Sequence, residues 1–210
     1  MTTIALFGAT GRTGGHVLDQ ALKAGHEVRA LARRPAAIRV TSDSLEVVQG
    51  DVLDRAAVNR VVEGADLVIS VFGRVKDSPD ALQTDGTRNI VESMKEHGVT
   101  RIISLSGGGL PAPQDKPKVP DRVIRLLLRT LAAKVLRDAA GHLKVLQESG
   151  LDWTVVRGPV LTDAALTGVY RVGWVGVDAS TKIGRADLAD FILHQVHDHR
   201  FDRQMPFVSY

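Results

Sequence analysis

A short apolar run, Ile4-Ala5-Leu6-Phe7, stops at Gly8; Gly11 and Gly14 follow at three-residue intervals, and an amphipathic helical pattern then begins. That order reads as a strand, a tight turn and a helix N-terminus. Backbone N–H groups in such a turn, backed by the positive end of the helix dipole, form a seat for phosphate. The spacing is Gly-x-x-Gly-x-x-Gly rather than the commoner Gly-x-Gly-x-x-Gly. A glycine triplet alone is a weak signal, but its place between a first strand and a helix makes it strong. The segment predicts a dinucleotide site with Gly8, Gly11, Thr13 and Gly14 at the pyrophosphate and Thr10 and Arg12 in the same turn.

Strand-like and helix-like segments alternate over the 210 residues. Thr3–Phe7 reads as the first strand and Thr13–Ala24 as a helix burying Val17, Leu18, Ala21 and Leu22. Glu27–Ala32 and Leu45–Gln49 are the next two strands, and Asp54 is placed to cap a helix running to Glu63. Leu67–Val71 has the apolar character of a strand buried on both faces. A helix is expected from Asp80 to His97, strands over Arg101–Leu105 and Trp153–Arg157, a late helix over Arg185–His197 and a final strand over Pro206–Val208. Repeated strand–helix units imply right-handed crossovers. The expectation is a single α/β domain over residues 1–210: a doubly wound parallel sheet with helices on both faces.

One segment breaks the rhythm. Residues 110–120 hold Pro111, Pro113, Pro117 and Pro120 together with Asp115, Lys116 and Lys118, which argues against regular structure. The segment follows the fifth strand, where such a sheet places its ligand crevice. It reads either as a lid over that crevice, extended by an elongated helical region over residues 121–148, or as an ordinary surface loop. The leucine-rich stretch Val123–Leu136 carries Arg125, Arg129 and Lys134 and is too short and too charged to span a bilayer.

The second strand ends in Ala30-Leu31-Ala32-Arg33-Arg34. A site for NAD(H) places an acidic residue there to hold the ribose hydroxyls. Arginines instead suit the adenosine 2′-phosphate, which a carboxylate would repel. NADP(H) is therefore expected over NAD(H), held by Arg33 and Arg34, with Arg12 placed for the same phosphate or the pyrophosphate. Asp51 and Val52 follow the third strand; Asp51 either hydrogen-bonds the adenine amino group or caps the turn into the next helix. Phe72-Gly73 ends the fourth strand, where a glycine admits close approach of the cofactor. At the end of the fifth strand, Ser106 is the candidate to touch substrate or the nicotinamide carboxamide, unless Gly107-Gly108-Gly109 make it part of a turn without a chemical role.

Taken in order, Phe7-Gly8-Ala9-Thr10-Gly11-Arg12-Thr13-Gly14, Gly50-Asp51-Val52, Gly86-Thr87-Arg88-Asn89-Ile90-Val91, His97-Gly98-Val99, Ser149-Gly150-Leu151-Asp152, Pro159 and Leu166-Thr167-Gly168-Val169-Tyr170 cover nearly the whole chain. With them the sequence resembles an atypical short-chain dehydrogenase/reductase, of the flavin reductase/biliverdin reductase B type and the related NmrA-like NAD(P)H-binding proteins. The resemblance implies a Rossmann fold with NADPH along the strand ends. It also implies that Arg157-Gly158-Pro159-Val160-Leu161 lies near nicotinamide, adding Pro159 and Val160 to the cofactor contacts. The chain departs from the main short-chain dehydrogenase line, which uses Tyr-x-x-x-Lys. Its two tyrosines, Tyr170 and Tyr210, have no lysine four residues on. It departs from the reductase type as well, with Gly107 where that type has a serine, and with Leu143 (next to His142) where that type has a histidine.

Other signals carry less. His194, His197 and His199 lie near the end of the last long helix without a supporting acidic or cysteine framework, and no metal is expected. Arg122, Arg125, Arg129, Lys134 and Arg137 read as a solvated basic face, the alternative being a groove for an anionic substrate or a partner helix. Leu126, Leu127, Leu128 and Leu131 give an apolar surface suited to a dimer contact, so monomer and homodimer both stay open. The net charge of +3 permits an anionic cofactor without arguing for nucleic acid, and the absence of cysteine excludes disulfides. With no leader pattern ahead of the first strand, a cytoplasmic protein without a membrane partner is expected. Two functions follow: an NADPH-dependent reductase passing hydride to a planar acceptor (flavin, biliverdin or quinone-like), or a non-catalytic NAD(P)H-binding sensor or partner protein. A cofactor-retaining isomerase or epimerase is a more distant third.

Overall fold

The computed structural model describes residues 1–75 and 77–210; the side chains of Ile124, Arg125, Leu128, Arg129 and Leu131 lie outside the described residues, and with them part of the basic run and leucine surface expected there. β1 (Thr3–Phe7) leads into α1 (Arg12–Lys23); β2 (Glu27–Ala32), β3 (Leu45–Gln49), α2 (Arg55–Val62), β4 (Leu67–Ser70), α3 (Leu82–His97) and β5 (Arg101–Gly107) follow. Then come α4 (Val119–Leu131), α5 (Ala133–Glu148), β6 (Asp152–Gly158), β7 (Val160–Thr162), β8 (Arg171–Gly173), β9 (Lys182–Gly184), α6 (Arg185–His194) and β10 (Phe207–Ser209).

Among the described residues, eight strands form one sheet in the order β3-β2-β1-β4-β5-β6-β10-β8, and β7 pairs with β9 apart from it. β1 lies between β2 and β4, so the strand order reverses beside it and a crevice opens at the strand ends. The sheet is a Rossmann-type doubly wound sheet, parallel except at its edge, where β8 runs antiparallel to β10. An edge strand escapes the crossover geometry that imposes parallel pairing on the interior.

Alternate side chains of each strand feed two apolar layers, as a period of two requires. Ala5, Phe7, Val68, Ile102 and Val155 pack against α2, α3 and α5, whereas Ile4, Leu6, Ile69, Ile103 and Val156 pack against α1 and α6. Asp54 caps α2 by accepting from the Ala56 and Ala57 N–H groups at 3.0 and 3.4 Å. Gly98, with φ 71°, closes α3. No helix among the described residues is long and apolar enough to cross a membrane.

Several boundaries differ from the sequence reading. The late helix stops at His194, because the Gln195 and Val196 N–H groups turn to the Ile192 and Leu193 carbonyls at 3.2 and 3.0 Å, the tighter pattern of a fraying end. The helical region over residues 121–148 is two helices, broken at Ala132. α4 begins at Val119, inside the proline-rich segment; Pro120 is tolerated there because first-turn N–H groups have no helical partner. α3 starts at Leu82 rather than Asp80.

The proline-rich loop is clamped to the sheet. Arg157 of β6 and Asp115 of the loop form a bidentate pair, both bonds 2.9 Å, with side chains 0% and 3% exposed. Arg157 also donates to the Met205 and Leu110 carbonyls at 2.8 and 2.7 Å, and Asp115 accepts from the Ala112 and Val175 N–H groups. Burial pushes the Asp115 carboxyl up, but the Arg157 guanidinium and these N–H groups outweigh it and hold the acid below its ordinary range. Removing one member leaves the other charge buried and unpaired. Asp115→Ala is therefore expected to lower stability by about 3–5 kcal/mol in urea denaturation, and a loss under about 1 kcal/mol would show that the pair does not secure the loop.

Candidate cofactor site

The β1–α1 turn is built around a close backbone approach. Gly8 has φ 97°, and a Cβ there would lie 2.6 Å from the Phe72 backbone nitrogen; a Cβ on Gly14 would lie 2.0 Å from the Gly8 carbonyl oxygen. Only glycine lets α1 seat this tightly over the end of β1. Gly11 caps α1 without a side-chain hydrogen bond, and the first turn holds no acidic residue. The leading N–H groups of α1 thus have neither a helical partner nor a side-chain cap, and they fit an anionic diphosphate.

Beside this turn lies a cleft of 270 Å³ lined by Gly8, Thr10 and Gly11, by Arg33 at the end of β2, by Asp51 and Val52 after β3, and by Phe72, Gly73 and Arg74 after β4. Eight of the residues expected from sequence therefore share one cavity. Thr13 and Gly14 are buried in the first turn of α1, behind its wall. Arg33 is exposed over the cleft with its Nε 3.8 Å from Asp51 Oδ2. Asp51 Oδ1 accepts from the Leu53 N–H at 2.9 Å, so this side chain closes the turn while Asp54 caps α2.

Other expected residues lie elsewhere. Arg34 is exposed ahead of a short 3₁₀ turn at Pro35–Ala37 and does not line the cleft. Arg12 is exposed and ion-paired with Asp163, which also accepts from Arg185 Nη1 at 2.7 Å. Val160 is exposed in β7, and Pro159 lies between β6 and β7. Ser106 is buried at the end of β5, opposite Arg157 of β6, outside the cleft. Its Oγ has no hydrogen-bond partner among the described residues, a deficit that costs about 1–3 kcal/mol and that a carboxamide would relieve.

Sequence reasoning missed Asp163, Arg185 and Arg74. Arg74 directly follows Gly73 at a strand end, which is a usable signal; Asp163 and Arg185 reach the turn only through tertiary structure. Neither tyrosine is set up as a proton donor. Burial and the Asp190 carboxylate, 2.7 Å from the hydroxyl, push the Tyr170 phenol well above its usual range, and the Tyr210 hydroxyl donates to Asp187 at 2.7 Å. Deeper behind β5, Ser104 Oγ lies 2.8 Å from His142 Nε2 of α5, and burial drives the His142 pKa down to about 4.

The chain belongs to the NAD(P)H-binding family, whose profile matches residues 8–199. It is 25% identical to an uncharacterized protein of Bacillus subtilis, with 95% of each chain covered. It is 31% identical to a (4-alkanoyl-5-oxo-2,5-dihydrofuran-3-yl)methyl phosphate reductase of Streptomyces griseus over 83% of this chain and about half, 53%, of that longer one. The structure of ChuY, an anaerobillin reductase from Escherichia coli O157:H7, superposes with a TM-score of 0.79 at 23% identity, covering 99% of this chain and 97% of that one.

His142 makes part of this architecture sensitive to acid. Its folded pKa, about 4, lies below the ordinary 6.5, so the unfolded chain binds the extra proton first. The contribution is fully present above pH 6.5 and is lost as pH falls toward 4, about 3 kcal/mol in all. Unfolding free energies measured across that window should fall with acid, and His142→Gln should flatten the slope; an unchanged slope in the variant would refute the assignment.

Proposed function

We propose that the chain is an NADPH-dependent reductase acting on a planar acceptor. The observation that carries the cofactor preference is Arg33. It ends β2 and overhangs the cleft where an NAD site would present a carboxylate, and Asp51 lies against the arginine rather than replacing it. The leading N–H groups of α1 hold the diphosphate, Arg33 takes the 2′-phosphate with Arg34 beside it, and Val52 borders the adenine. Arg12 exchanges Asp163 for phosphate when it contributes. Ser106, with its unmatched hydroxyl, orients the carboxamide beside Pro159 and Val160.

Bound NADPH supplies a hydride, and a proton from water completes the reduction of the acceptor. The chain needs no tyrosine–lysine pair for this, because transfer to an extended π-system depends on stacking and orientation. The reductase activities of the Streptomyces and Escherichia relatives support the chemistry. The sensor reading retains one favourable observation: Gly107 stands where the reductase type has a serine.

Two measurements test the proposal. Arg33→Glu should weaken NADPH binding at least about tenfold while sparing NADH, the loss expected for a charge-assisted contact turned repulsive; an unchanged ratio of dissociation constants would remove the NADP preference. NADPH oxidation should depend on an added flavin, biliverdin or quinone. Tight binding without acceptor-dependent oxidation would favour the sensor.

A further inference from the structure

A second groove, of 490 Å³, adjoins the cofactor cleft and shares Arg74 and Val75 with it. Its other wall is the α4–α5 junction, where Ala132, Lys134 and Val135 line it. Val75 and Val135 are 61% and 47% exposed, so apolar surface faces solvent on both sides. Among the described residues, two cations border the same space. Arg74 Nη2 lies 3.0 Å from Asp80 Oδ1, and Lys134 Nζ lies 3.0 Å from Asp80 Oδ2. The hydrogen bond from Lys134, opposed by some desolvation, keeps the Asp80 acid below its ordinary range.

One carboxylate thus stands between two cations, beside apolar walls, at the mouth of a cleft whose own phosphate seats are Arg33 and the α1 N-terminus. We propose that this groove takes the anionic substituent of the acceptor, so that the substrate class is a planar compound carrying a phosphate or carboxylate. The inference rests on the reductase reading for the identity of the ligand as an acceptor. Arg74 and Lys134 grip the anion, Val75 and Val135 cover its apolar stem, and Asp80 occupies the two cations until the ligand displaces it.

FMN and riboflavin form a matched probe pair, with one ring system and a single phosphate between them. Binding is read from flavin fluorescence with the protein saturated in NADP⁺, which fills the cofactor's own phosphate seats. FMN is expected to bind about tenfold more tightly than riboflavin. Lys134→Met should erase most of that difference, and Asp80→Asn should tighten FMN while leaving riboflavin unchanged. A purely structural role for these residues would move both flavins together. Equal affinities, no binding of either flavin, or a preference that survives Lys134→Met would overturn the proposal. Parallel NADPH oxidation separates the two readings. A Lys134-dependent FMN preference without turnover keeps the groove and removes the reductase, whereas equal turnover of both flavins without preference does the reverse.

Discussion

The contact between Gly14 and the Gly8 carbonyl governs the arrangement of the site. A single methyl group on Gly14 would stand 2.0 Å from that oxygen, so α1 reaches its place over β1 only because position 14 is glycine. That seating aims the uncapped N–H groups of the helix at the strand ends. The approach of Gly8 to Phe72, where a Cβ would lie 2.6 Å from the backbone nitrogen, draws the end of β4 against the same turn. The strand order reverses beside β1, and there Gly8 and Phe72 line the cleft while Gly14 is buried behind its wall. Arg33 and Asp51 then enter from β2 and β3 as consequences of register.

A second constraint operates across the sheet. The buried Arg157–Asp115 pair joins β6, the proline-rich loop and the turn at Val175 through one bidentate contact. Such a pair is favourable only when its remaining donors and acceptors are matched, and here backbone carbonyls and N–H groups supply the matches. A segment that composition marks as irregular is therefore held in place at its centre, and a lid motion of the whole loop requires Arg157 to lose its partner.

Much of this was readable in advance where the signal is local. The apolar runs of β1, β4 and β5, the glycine spacing, the Asp54 cap and the arginine at the end of β2 each follow from residues near one another in sequence. The three-residue strands β7, β8 and β9 are too short to show a period, and the break at Ala132 has neither glycine nor proline to announce it. The pairing of Arg12 with Asp163 spans 151 positions, and that of Arg157 with Asp115 spans 42. No pattern of spacing encodes contacts of that kind. The place of Ser106 at a strand end is visible in the sequence, but its burial without a partner among the described residues is a property of packing.

The glycine turn and the cleft beside it are proposed to hold one NADPH per chain. Calorimetric titration of the intact protein with NADPH tests this most directly. A single site per chain, with affinity that falls as salt screens the phosphate contacts, is the predicted result. Absence of binding by both NADPH and NADH would show that the turn and cleft hold no nicotinamide dinucleotide.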